Sequence, residues 1–173
     1  MADTPAHREV SRPTEASAEI DRIIAREGPP SNDPTDQGGQ TAFGISQNAN
    51  PGVSVPKLSR EEARLIYWTK YVKGPGFDRI TDLALQEQVV DFGVTSGPAT
   101  GTMFLQRALG VEQDGVCGPK TLTALALADL PALRNRLAIL RACELIAPLV
   151  QKRPSDLKYL RGWLRRVLGF VRP

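Results

Sequence analysis

Apolar positions along this chain recur mostly at helical spacing, and Gly-Pro punctuation cuts the recurrence into segments. Ile20, Ile23, Ile24 and Glu27 share one face of a helix predicted from Ser17 to Glu27. Gly28-Pro29-Pro30 stops that helix, because neither proline can continue the hydrogen-bond ladder. Residues 31–56 break the period and read as loop with short extended pieces. Within them "TAFGIS" (41–46) is the best strand candidate and Pro51-Gly52 a turn. The helical pattern returns at "SREE", where Ser59 and Glu62 stand at capping-box spacing ahead of "ARLIYWTKYV", and Gly74-Pro75-Gly76 ends it. A longer helix is predicted from about Asp78 to Val94, another from Pro98 to Gly110, and a third opened by Gly118-Pro119. A long helix over 131–152, bent at Pro148, and a basic amphipathic helix around "DLKYLRGWLRRVL" complete the series. The fold class is mainly α. Residues 1–16 are polar and without period, a leader expected to be mobile.

The length, 173 residues, suits one ordinary domain or two small lobes sharing a core. No apolar run approaches the ~20 residues that span a bilayer, so no integral membrane segment is expected. The first residues, "MADTPAHREVSRPTEASAEI", have no apolar stretch after a basic start and do not read as a secretory signal. The net charge of +3 is unevenly spread: residues 151–173 are rich in Lys and Arg with Asp156 the single acid, while residues 1–50 are acidic on balance. A basic end can hold an anionic polymer or form a solvated helix face. Nucleic acid is not an expected partner, because the acidic half would repel it and no basic stripe is interleaved with aromatics.

Scarcity of histidine narrows the chemistry. His7, in the leader, is the single one, which argues against Ser-His-Asp, Cys-His and His-ligated zinc hydrolases. Cys117 and Cys143 have no metal-ligand spacing and are expected to be reduced and mostly packed. No metal or cofactor is implied. Carboxylate chemistry remains.

Glu27 closes a helix on the face that carries three isoleucines. Apolar surroundings and the negative end of the helix dipole would both raise its pKa, as a general acid requires. A glutamate on a helix flank in water is the plainer alternative. Asp36 follows nine positions later and Thr41 fourteen, across the Pro and Gly turns. If "TAFGIS" folds back beside the helix end, a second carboxylate and a hydroxyl face Glu27 across a gap. Glycosidic cleavage by inversion uses two carboxyls ~6.5–9.5 Å apart with water between them. Gly38-Gly39 would let a sugar chain approach the backbone. Asp33 and Asp36 also suit Asx-Pro and Asp-x-Gly turns.

The run "EGPPSNDPTDQGGQTAFGIS" resembles the signature of glycoside hydrolase family 108 muramidases, in Glu27, Gly28, Asn32-Asp33-Pro34, Asp36, Gly38-Gly39, Thr41 and Phe43-Gly44-Ile45. "VVDFGVTSGPATGTMFLQRALGVEQDGVCGPKTLTAL" and "RGWLRRV" are similar to that family's C-terminal half, a predicted peptidoglycan domain. The resemblance implies a lysozyme-like fold of two helical lobes, with a short β-hairpin beside the catalytic helix. It divides the chain into a catalytic lobe over 17–78 and a helical peptidoglycan-binding lobe over 79–173. It also implies cleavage of the β-1,4 bond between N-acetylmuramic acid and N-acetylglucosamine, with Glu27 matching the catalytic glutamate. Asp36 is expected to orient water or stabilise charge at the sugar ring, and Thr41 to hold the water. Asn32, Asp33, Gly38, Gly39 and Phe43 are expected to face substrate, with Tyr67 and Trp68 as stacking candidates that could equally be core.

Members of the family occur as phage endolysins and as bacterial muramidases tied to export. A chain of this kind, made in the cytoplasm, would reach the wall after holin-type release or dedicated export, acting as a monomer on peptidoglycan strands. Three departures stand out: Pro29-Pro30 in place of a Gly and an aromatic residue, Gln40 where Glu is frequent, and Thr95 where Asn is common. Pro29-Pro30 and Gln40 leave open a non-catalytic wall-binding or secretion-helper protein, and an Asp36 that points away would leave a glutamate-only mechanism such as lytic transglycosylation. Asp91, ahead of a Phe, is expected to be partly buried on a backbone donor.

Overall fold

The computed structural model describes residues 14–27 and 40–171. Helix α1 (Thr14–Glu27) begins three residues before the predicted start, so residues 14–16 of the expected leader are helical; residues 1–13 lie outside the described part. Strands β1 (Thr41–Ala42) and β2 (Ile45–Ser46) form the short hairpin implied by the resemblance, antiparallel, with Thr41 opposite Ser46 and Ala42 opposite Ile45, so the single strand read over 41–46 is folded back on itself. Its two-residue turn is Phe43 (φ 54°) and Gly44 (φ 74°), the pair of positive φ values that matches the twist of a tight hairpin.

Helix α2 (Arg60–Tyr67) carries the capping box read from the sequence: the Glu62 amide donates to Ser59 Oγ at 3.2 Å and Glu62 Oε2 accepts from the Ser59 amide at 2.8 Å. It runs on into a wider π turn, Trp68–Lys73, which Gly74-Pro75-Gly76 terminates. Helix α3 (Leu83–Ser96) starts later than predicted. Residues 77–79 form a 3₁₀ turn instead, because Asp82 takes the N-cap and accepts from the Leu85 amide at 2.7 Å.

Helices α4 (Pro98–Leu109) and α5 (Pro119–Ala126) follow the Gly-Pro punctuation, and α6 (Leu130–Leu140) is opened by Asp129, whose side chain accepts from the Ala132 amide at 3.1 Å. The long helix predicted over 131–152 is divided. Pro148 has no N–H to give the ladder, and the six residues Arg141–Ile146 ahead of it widen into a π turn before α7 (Ala147–Lys152). Helix α8 (Leu157–Leu168) closes the chain. Among the described residues no helix is long and apolar enough to cross a membrane.

Burial organises these elements around one main core. Ile20, Ile23 and Ile24 of α1 meet Ala42 and Ile45 of the hairpin, Tyr67 and Val72, then Phe77, Leu85, Val89 and Phe92, and on to Leu105, Leu125 and Leu137. The core thus draws on residues from both sides of position 78. A smaller cluster, Ala138, Ile146 and Val167 with Leu160, Trp163 and Leu164, seats α8 on the second π turn. Gln106, 1% exposed, pins the loop between α4 and α5: its amide group donates to Asp114 and Thr121 and accepts from the Gly115 amide. Cys117 is buried as expected, whereas Cys143 is exposed on the π turn and not packed; both are free thiols.

Candidate active site

The buried isoleucine face ends one turn before Glu27. At the helix terminus the side chain leaves the core, and Glu27 is exposed, so the isoleucines do not supply the dry surroundings expected from helical spacing. Its aliphatic stem is nonetheless held. A methyl group placed on Gly44 would come within 2.7 Å of Glu27 Cγ, 3.1 Å of Glu27 Cβ and 2.8 Å of the Tyr67 hydroxyl. The hairpin turn therefore presses its backbone against Glu27, and glycine alone leaves room there.

Tyr67, buried, fixes the turn from the other side by donating its hydroxyl to the Phe43 carbonyl at 3.1 Å. Burial first, and the Glu27 charge second, push the Tyr67 phenol far above its ordinary range, with the Arg166 charge offsetting part of that. The Tyr67 hydroxyl is therefore a neutral donor within electrostatic reach of both Glu27 and Arg166.

Beside the turn lies a cavity of about 120 Å³ lined by Gly44, Ser46, Asn50, Tyr67, Lys70 and Tyr71, among others. Pockets that enclose a whole small molecule run to ~300–1,000 Å³, so this one suits a single substituent of a longer chain. Asn50 is held by donating to the Ser46 carbonyl at 3.0 Å, and Gln47 braces the loop through the Asn50 and Val53 carbonyls and the Val55 amide. Tyr67 and Tyr71 stack with ring centroids 5.6 Å apart.

Of the residues read from the sequence, the structure brings together Glu27, Phe43 and Tyr67. Thr41 stands at the open end of the hairpin opposite Ser46. Trp68 packs, half-buried, against the core. Asn32, Asp33, Asp36, Gly38 and Gly39 lie outside the described residues. Ser46, Asn50 and Lys70 were not anticipated. Asn50 sits in the Asn-Pro-Gly turn whose type was legible but whose packing partner was not.

Behind Glu27 runs an ion-pair network that sequence reading missed. Arg26 reaches Asp91 Oδ1 at 3.3 Å and Glu19 Oε1 at 3.5 Å; Arg22 pairs with Glu19 at 2.5 Å and with Glu87 at 2.7 Å. Asp91 is fully buried. It accepts from Arg141 Nη1 at 2.8 Å and Arg166 Nε at 2.7 Å, so its donors are guanidiniums and not the expected backbone N–H. Arg141 also donates to Thr95 Oγ1 at 2.7 Å, and its guanidinium lies 4.4 Å from the Phe92 ring centre. Burial pushes the Arg141 pKa down and the Asp91 charge pulls it back. Desolvation lifts the Glu19 carboxyl to about 7 despite its ion pair with Arg22.

Comparison with known proteins gives these features a context. Residues 20–97 match the family described as Glycosyl hydrolase 108, and residues 100–168 match the Predicted Peptidoglycan domain. No curated protein is significantly similar in sequence. Among solved structures, that of Brucella abortus SagA is similar, at 28% identity over 92% of this chain and 92% of that one, with a TM-score of 0.74. The fold is thus mainly helical and lysozyme-like, with a two-stranded antiparallel sheet.

Proposed function

From a chain that belongs over residues 20–97 to the glycosyl hydrolase 108 family and carries a predicted peptidoglycan domain over residues 100–168, we propose a muramidase. It cleaves the β-1,4 bond between N-acetylmuramic acid and N-acetylglucosamine at the cell wall, which it reaches by holin-type release or dedicated export. Glu27 gives its proton to the glycosidic oxygen as the bond to the anomeric carbon breaks, and water attacks that carbon. Asp36 is assigned to orienting the water or stabilising the positive ring, and Thr41 to holding the water.

The contact of the hairpin turn with Glu27 carries this reading. It fixes the stem while leaving the carboxyl exposed to a chain laid beside the turn, with the Ser46–Asn50–Tyr71 cavity ready for a substituent. Glu27→Gln is expected to abolish release of soluble fragments from purified sacculi with circular dichroism unchanged. Retained release would overturn the acid assignment. Mass spectrometry of the products separates the routes: new reducing ends mark hydrolysis, and 1,6-anhydro ends mark lytic transglycosylation.

A further inference from the structure

Between α1 and α8 lies a second groove, of about 530 Å³, with Arg22 and Arg26 on one wall and Trp163, Arg165, Arg166 and Phe170 on the other. Its charge is one-sided. The carboxylates nearest these arginines, Glu19, Glu87 and Asp91, are already engaged by Arg22, Arg26, Arg141 and Arg166 on the inner side. Guanidiniums outnumber carboxylates in this cluster, and Arg165 adds a further exposed one.

The groove is also kept open. Gly162, in the middle of α8, lines it, and a methyl group there would meet nothing within 4 Å. Glycine inside a helix costs about 1 kcal/mol relative to alanine. No packing contact requires it at this position, and the space beside it is open groove. Arg26 on its wall directly precedes Glu27 in α1, and Arg166 meets Arg26 on the same oxygen of Asp91.

We propose that this arginine groove binds the carboxylates of the peptide stem that peptidoglycan carries on muramic acid, while the glycan lies at Glu27. The inference rests on peptidoglycan being the substrate. The sugars of the strand are neutral once the lactyl carboxyl is amide-linked to its stem, so the stem holds the negative charge. Planar guanidiniums grip carboxylates by paired hydrogen bonds, and Trp163 and Phe170 cover the aliphatic parts between them.

The test is an NMR titration of the full chain with a soluble stem tetrapeptide, followed at the Trp163 indole N–H. The expected result is a saturable shift at millimolar peptide that is absent when the peptide carboxyls are amidated. Arg165→Glu, and independently Gly162→Leu, which fills the groove without changing charge, are each expected to weaken binding by about tenfold or more. The proposal is overturned by an equal response to the amidated peptide, by inorganic phosphate or phosphatidylglycerol vesicles binding the same residue as tightly, or by both folded variants binding normally. Fragment release from sacculi by the unaltered protein is measured alongside: a chain that binds the stem but releases nothing sinks the muramidase reading and keeps this one.

Discussion

Asp91→Ala is the perturbation that probes most of the structure at once. The carboxylate is fully buried, and its partners come from 50 to 75 residues away in sequence. Its removal leaves Arg141, whose side chain is 6% exposed, as a buried cation with the Thr95 hydroxyl and the Phe92 ring for company. Arg26 and Arg166, at 42% and 25% exposure, can turn towards water and add little to the loss. Breaking one side of a buried ion pair costs about 3–5 kcal/mol, against total stabilities of roughly 5–15 kcal/mol for a domain. Asp91→Asn keeps the shape and one acceptor and should cost less. Asp91→Ala with Arg141→Leu should recover most of the loss, because no buried charge remains. Urea unfolding followed by circular dichroism and tryptophan fluorescence gives the three values. A loss below about 1 kcal/mol for Asp91→Ala, or a double variant no better than the single, would refute the reasoning.

The other predictions concern smaller pieces. Gly44→Ala places a methyl 2.7 Å from Glu27 Cγ at φ 74°; it should cost about 1–2 kcal/mol and lower fragment release more than it lowers the folded fraction. Wild-type turnover in that variant would show that the turn does not set Glu27. Because burial lifts the Glu19 carboxyl from 4.5 to about 7, the folded chain holds a proton there that the unfolded chain releases. Stability from this group is full below about pH 4.5 and falls, by on the order of 3 kcal/mol, as the pH rises through 7. Glu19→Gln should flatten that slope in urea midpoints, and an unchanged slope would move the proton elsewhere. Gln106→Ala strips Asp114, Thr121 and the Gly115 amide of their buried partner and is expected to cost about 1–3 kcal/mol, with faster amide exchange confined to residues 111–118. Uniform exchange across the chain would contradict that local role.

What the sequence made legible was local. The Ser59–Glu62 capping box and the Gly110 and Gly118-Pro119 boundaries are each decided by a few neighbouring residues, and the folded chain shows them where they were read, whereas the strand read over 41–46 turns back on itself at Phe43-Gly44. Periodicity placed Glu27 on the isoleucine face, but Glu27 is exposed at the last position of α1, one turn beyond the buried Ile23 and Ile24. The π turns escaped because their cause is a wider hydrogen-bond register, not a side-chain pattern. Asp91 sits among apolar neighbours in "QVVDFGV", which signalled burial. Nothing local pointed to Arg26, Arg141 and Arg166, since three distant segments must fold together before they meet.

That meeting bears on how the two matched regions relate. Asp91 belongs to the stretch that matches the hydrolase family, while Arg141 and Arg166 belong to the stretch that matches the peptidoglycan domain. Arg26, one residue before Glu27, shares the same carboxylate oxygen with Arg166. A buried carboxylate needs its cations, so Asp91 ties the end of α1 to α8 and the second π turn, in addition to the apolar packing of α1. The main core says the same in apolar terms, since Phe92 and Leu105, on either side of the boundary between the two matches, belong to one cluster. The position of the proposed acid and the shape of the arginine groove are therefore consequences of a single packing arrangement. A change on α8 that disturbs Arg166 therefore reaches Arg26, the neighbour of Glu27 in α1, through the shared oxygen of Asp91.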